Sequence, residues 1–284
     1  MKRLLIFILV SSLCLVAQVA SATTNPVFYK VTKQGNTAYL LGSIHVGNTD
    51  FYPLTPVIES TFTASDALVI EADITKANVA QLLQRFGMIE PDMMAKANQV
   101  TAKYCQDKQV ICQSLQGFAP WLQASQISMA RFAQLGYLPD HGVDLFLQAR
   151  HGTKPLYELE SVAFQFDLIS SFSEQTQLTM LDEAVNASDE EMLALINAWR
   201  QGDKLQLANI MEGQAADSDE LLEKLLWQRN HSMAAKIEQL MTQHSGKQLF
   251  IVVGAGHIVG RQAIPDLLKQ QGFTLTQCQE KLCD

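Results

Sequence analysis

Two short patterns, Gly42-Ser43-Ile44-His45 and Gly254-Ala255-Gly256-His257, each close an apolar β-like run, and more than two hundred residues separate them. The runs are Ala38-Tyr39-Leu40-Leu41 and Leu249-Phe250-Ile251-Val252-Val253. Unbroken apolar runs of this length suit strands buried on both faces of a parallel sheet, and a glycine at the strand end permits a sharp turn. Parallel neighbours end at the same sheet edge, where open α/β sheets build their sites. The chain is thus expected to bring its two ends together so that two imidazoles meet. A single Gly-x-x-His carries little weight, because such a histidine also serves as a helix cap or a core residue. The pair carries more.

Two further runs end in acids. Ala67-Leu68-Val69-Ile70 leads into Glu71-Ala72-Asp73, and Lys154-Pro155-Leu156-Tyr157 leads into Glu158-Leu159-Glu160. Strand ends that deliver His, Glu, Glu and His supply the imidazole and carboxylate donors that a divalent first-row metal accepts.

The rest of the chain reads as strands at both ends with helices between. Residues 27–32 and 38–41 form a hairpin turning at Gln34-Gly35-Asn36, 55–64 a short helix, and 67–70, 155–158, 248–253 and 273–276 further strands. Helical spacing predicts helices over 77–86, 92–106, 119–135, 141–150, 161–171, 176–185, 189–200, 221–240 and 258–271. The fold class is α/β: a mixed central β-sheet with flanking helices and a large helical insertion, roughly 75–150 and 161–245, capping the strand ends. Phe118, Trp121, Met129, Phe132 and Tyr137 in that insertion read as core filling.

The first residues set the compartment. Lys2-Arg3, an apolar stretch from Leu4 to Val10 continuing through Leu13 to Ala17, and Ala20-Ser21-Ala22 make a secretory signal peptide over 1–22, leaving one domain over 23–284. The alternative, an uncleaved anchor, asks for a longer core than this one. The location expected is periplasmic or secreted, with no stable membrane span after cleavage. Removing the leader leaves Cys105, Cys112, Cys278 and Cys283. Their spacing favours two local disulfides, Cys105 with Cys112 and Cys278 with Cys283.

Loss of Lys2 and Arg3 takes the formal charge from −8 to −10. With no basic cluster, nucleic acid is a poor partner; a peptide or small-molecule substrate fits better. The acidic run Asp217-Ser218-Asp219-Glu220 reads as a solvated helix start. Gly254-x-Gly256 with Gly260 misses the dinucleotide spacing, and no His-Glu-x-x-His, Gly-x-Ser-x-Gly or P-loop occurs. Ser43 as a nucleophile has no triad order to support it.

Six segments carry a resemblance: residues 40–47 (Leu-Leu-Gly-Ser-Ile-His-Val-Gly), Val69-Ile70-Glu71-Ala72-Asp73, His141-Gly142-Val143-Asp144, Glu158-Leu159-Glu160-Ser161, Gln228-Arg229-Asn230 and Val253-Gly254-Ala255-Gly256-His257. In this order they resemble the TraB/GumN family, to which the Tiki metalloproteases are related, and within it the small exported bacterial members. The family includes peptidases, pheromone-inhibitory membrane proteins and, more remotely, erythromycin esterases and haem-binding proteins. The resemblance implies a divalent ion (Mn, Co, Zn or Fe) held by His45, Glu71 and His257. Glu160 is then a second ligand or the general base, with Glu158, two residues earlier on the strand, as its rival. Asp73 and Asp144 are either carboxylates that orient the imidazoles or helix caps. The Arg229-Asn230 pair implies a guanidinium facing the cleft, for a substrate carboxylate or an oxyanion. Two functions follow: an exported metal-dependent hydrolase, foremost a peptidase, or a non-catalytic metal-, haem- or peptide-binding regulatory protein using the same cleft.

Overall fold

The computed structural model describes residues 24–214, 219–279 and Cys283; the signal peptide expected at 1–22 and the Asp217-Ser218 part of the acidic run lie outside them. Strand β1 (Phe28–Lys33) turns into β2 (Asn36–Ser43) through Gln34 and Gly35, both at positive φ (51° and 83°). Such a two-residue turn matches the natural twist of a hairpin. Helix α1 (Pro56–Ala64), started by a proline in its first turn, carries the chain to β3 (Ala67–Ile70). The other strands are β4 (Leu156–Glu158), β5 (Gln248–Gly254) and β6 (Thr274–Gln277).

The strands form one mixed six-stranded sheet in the order β4-β3-β5-β2-β1-β6. β4, β3, β5 and β2 run parallel, while β1 and β6 are antiparallel at the far edge. β5, from the end of the chain, inserts between β2 and β3, from its beginning. The register pairs Gly42 with Val253 and Ser43 with Gly254, so both glycine-histidine segments leave the sheet at one level. β3 and β5 are buried along nearly their whole length, as their unbroken apolar sequences require.

Between β3 and β5 lie α2 (Val79–Phe86), α3 (Pro91–Thr101), α4 (Gln109–Leu115), α5 (Pro120–Gln134), α6 (Val143–Ala149), α7 (Val162–Ser170), α8 (Glu174–Asn186), α9 (Asp189–Gln201) and α10 (Lys204–Gln214). Next, α11 (Asp219–Leu222) passes through a π turn at Glu223–Trp227 into α12 (Gln228–Gln243). The main core covers both faces of the sheet and includes Phe28, Leu40, Trp199 and Phe250. A second cluster of Ala97, Leu115, Ala124, Ile127, Leu181 and Ala184 gives the helical insertion its own interior, and Trp121 and Phe118 pack beside it, as core filling.

Helices α4 and α10 have no counterpart among the expected elements. The last helix also begins later than its periodicity suggests: α13 spans Ile264–Gln270. Ala255–His257 is a short 3-10 turn, and Gly260 (φ 76°) and Gln262 (φ 51°) lie in the left-handed region, which a right-handed helix cannot traverse. Both local disulfides are present, Cys105–Cys112 and Cys278–Cys283, with Cα atoms 5.8 and 4.3 Å apart. Among the described residues no helix is long and apolar enough to cross a membrane.

Candidate functional site

The ends of β2, β3 and β5 meet at Gly254. A Cβ placed on this glycine would stand 3.3 Å from Glu71 Oε1, 3.6 Å from His45 Nε2 and 3.8 Å from His257 Cδ2. The two histidines and Glu71 therefore surround one point that only a residue without a side chain leaves open. Gly42 has the same character: its Cβ would fall 2.4 Å from Ile258 Cδ1 and 3.3 Å from Ala255 Cα, so the two glycine-histidine loops touch through it.

His45 is held from the helical insertion. Val143 N donates to Ile44 O (2.9 Å), and Gly47 and Leu138 exchange two backbone hydrogen bonds. That stitching brings Asp144, in the first turn of α6, against the ring: His45 Nδ1 donates to Asp144 Oδ2 (2.8 Å), and Ser43 Oγ donates to Asp144 Oδ1 (2.5 Å). A carboxylate only accepts, so Nδ1 keeps its proton and Nε2 faces the Gly254 point. Ser43 is thereby committed to a supporting role. The Asp144 charge raises the His45 pKa above its ordinary value; with the His45 side chain 63% exposed, solvent screens that attraction.

His257 is buried and held from α12. Asn230 Nδ2 donates to Gln262 O (2.9 Å), which leaves its Oδ1 to accept from His257 Nδ1 (2.6 Å). The Nε2 lone pair then faces Glu71 Oε1 at 3.6 Å. Burial lowers the His257 pKa to about 4, so the ring is neutral at pH 7.

Glu71 Oε1 accepts from Gly254 N (2.6 Å), and its Oε2 accepts from Arg229 Nη2 (2.8 Å). Burial alone would raise this carboxyl; the positive charge that His257 gains in acid and those of Arg229 and His45, with the Gly254 amide, outweigh it and hold the pKa down to about 2. With His257 neutral, Arg229 is the main counter-charge. The same guanidinium donates to Glu160 through Nε (3.0 and 3.1 Å) and Nη2 (2.8 Å), and through Nη1 to Leu225 O (3.0 Å). Leu225 lies inside the π turn, whose extra residue resets the helix phase immediately before Arg229.

These contacts change several expectations. Arg229 does not face an open cleft: it is buried among two carboxylates and a carbonyl, to which Nε, Nη1 and Nη2 all donate. Glu160 reaches the site, but both its oxygens are engaged by Arg229 and Gln165. Its rival Glu158 turns elsewhere, accepting from Asp73 N (2.7 Å) and pairing with Lys76 (3.2 Å). Asp73 caps the turn at Ile74–Lys76 and accepts from Gln148, without touching an imidazole. Gln165, which sequence reading passed over, donates to Glu71 (3.3 Å) and Glu160 (3.2 Å) from α7. Its available signal was its place in the first helical turn after Glu160.

Among the described residues no three His, Cys, Asp or Glu side chains are close enough to hold an ion as they stand. In kind, however, the donors suit one: both imidazoles are fixed through Nδ1 by an acceptor, the arrangement that presents Nε2 to a metal. The facing of a neutral Nε2 and a carboxylate oxygen at 3.6 Å, two lone pairs in a buried place, is also unfavourable without a cation or a donor between them. Two ligands at about 2.1 Å in tetrahedral geometry stand roughly 3.4 Å apart, close to that spacing.

The chain is similar along most of its length to uncharacterized proteins. One is YbaP of Escherichia coli (strain K12), 26% identical over 257 residues, covering 84% of this chain and 90% of that one. Another is from Treponema pallidum (strain Nichols), 21% identical over 276 residues, covering 86% and 80%. Over 50 residues, 18% of this chain and 11% of the relative, it is 38% identical to a metalloprotease TIKI homolog of Nematostella vectensis. No solved structure matches. The model of the TraB/PrgY/gumN family matches residues 27–277, which takes in all three converging strand ends and Arg229, and the chain belongs to that family.

Proposed function

We propose that the protein is an exported metal-dependent hydrolase acting on peptide bonds, with His45, Glu71 and His257 holding a divalent ion. The observation that carries this reading is the opposition of His257 Nε2 and Glu71 Oε1 at 3.6 Å beside the inward Nε2 of His45. The short likeness to proteins named as TIKI metalloproteases supports the same chemistry. When bound, such an ion polarises a carbonyl and lowers the pKa of a water toward about 7. The chain's own residues do the rest. Asp144 and Asn230 keep each imidazole in the tautomer that offers Nε2. The Gly254 amide fixes one oxygen of Glu71, and Arg229 offsets one of the two buried carboxylate charges. The exposed side of His45 gives substrate and water their approach. The signal peptide expected at 1–22 supports export, and the two disulfides accord with it.

One observation favours the second reading, a regulatory binding protein: Arg229 already balances Glu71, so the centre holds together without a resident ion. The test is the metal content of protein purified from its natural compartment, followed by turnover of mixed peptides by wild type, His45→Ala and His257→Ala. Bound metal with cleavage that both variants lose supports the hydrolase. Bound metal or peptide without cleavage supports the binding protein.

A further inference from the structure

Three buried charges share the floor of the site. The carboxylates of Glu71 and Glu160, 12% and 4% exposed at their side chains, are joined by one guanidinium, that of Arg229, 8% exposed. The triad's other hydrogen-bond partners at these side chains, Gln165, Gly254 N and Leu225 O, are neutral. The triad therefore carries one net negative charge, placed against the imidazoles that face the Gly254 point. Arg229 touches Glu71 at Oε2, while Oε1 faces His257, so the arginine and any ion at the imidazoles draw on the same carboxylate from opposite sides.

We infer that Arg229 is the internal counter-cation that limits how tightly this centre binds a divalent cation, with Glu160 present to offset it. The inference rests on the ion-binding reading above and names what tunes it. Coulomb's law fixes the directions. Arg229→Gln makes the triad doubly negative and strengthens binding, Glu160→Gln makes it neutral and weakens binding, and the double variant restores the original charge. A unit charge roughly 6 Å from a divalent ion changes its binding by about tenfold even at the dielectric of bulk water, about 80, and by more in the less polarisable interior. If Glu160 were itself a ligand, the double variant would stay weak; if Arg229 served only to orient Glu71, its removal would weaken binding.

The experiment uses the full mature chain, stripped with chelator and titrated with Mn²⁺ and with Zn²⁺ by calorimetry, with circular dichroism and melting in chelator as the check of folding. The expected order of affinity is Arg229→Gln above wild type by about tenfold or more, Glu160→Gln below it by a similar factor, and the double variant and Arg229→Lys near it. Arg229→Gln should melt earlier than wild type in chelator and recover on adding the ion. Ions that bind with no gain in folded Arg229→Gln, or with no loss in Glu160→Gln, overturn the inference and leave the ion site standing. Should Arg229→Gln fail to fold, Glu160→Gln with unchanged affinity overturns it alone. If no variant takes up either ion, the ion-binding reading falls and the inference with it.

Discussion

Asn230 holds His257 by a 2.6 Å hydrogen bond from the ring Nδ1 to its side-chain oxygen, and its own amide nitrogen is spent on Gln262 O. One buried amide thus fixes both the tautomer of the second histidine and the loop that follows it. Asn230→Ala leaves the buried Nδ1 proton unpaired and frees the partly exposed Gln262 carbonyl, at a cost of about 1–3 kcal/mol in urea denaturation. Divalent ion affinity should fall by roughly 10–100-fold as the ring loses its orientation. Unchanged affinity in a folded variant would show that Asn230 serves the fold alone.

Gly42→Ala tests the contact between the two glycine-histidine loops. The added methyl meets Ile258 Cδ1 at 2.4 Å and Cγ1 at 3.0 Å, and Ile258 is buried with little room to retreat. A loss of about 1–3 kcal/mol is expected, the usual cost of overpacking a filled interior. Ile258→Val removes the nearest atom, so the double variant should recover part of that loss. Additive losses in the double-mutant cycle would sink the explanation.

Glu158 and Glu160 should part company. Glu158→Gln weakens the hold on Asp73 N and the pairing with Lys76, costing about 1 kcal/mol or less, because these contacts are partly solvated. It should leave ion affinity at the wild-type value. A fall in affinity as large as that of His257→Ala would place Glu158 in the site after all.

Stability should decline on the acid side in two stages. Burial lowers His257 from 6.5 to about 4, so the folded state binds fewer protons than the unfolded state in that interval, and stability present above pH 6.5 is lost as the pH falls through it. Glu71 at about 2, and Glu220 at about 2 through its hydrogen bond from Lys224 and those from Thr176 and Ser173, extend the loss from pH 4.5 downward. Urea midpoints should therefore drop between pH 7 and 4 and again toward pH 2. Glu220→Gln should blunt only the second stage, modestly, since this carboxylate is partly solvated. A midpoint that stays level from pH 7 to 3 contradicts the protonation states argued for the site.

The sequence by itself determined what depends on near neighbours. Apolar runs marked the strands, glycines marked their ends, and short cysteine spacings marked both disulfides, because each is decided within a few residues of chain. It also brought His45 and His257 to one edge, since two unbroken apolar strands have few places in a sheet but its middle. Tertiary structure alone decided which carboxylates share the site. Strand alternation would put Glu158 and Glu160 on one face, but β4 ends at Glu158 and the chain bends, with Glu160 N donating to Glu71 O (2.8 Å), so the two acids diverge. Likewise a π turn resets the phase of α12 and turns Arg229 inward onto Glu71 and Glu160. Helical periodicity read at 3.6 residues per turn carries no trace of that extra residue, which is why the arginine's burial, and the charge balance it imposes, were visible only in the folded chain.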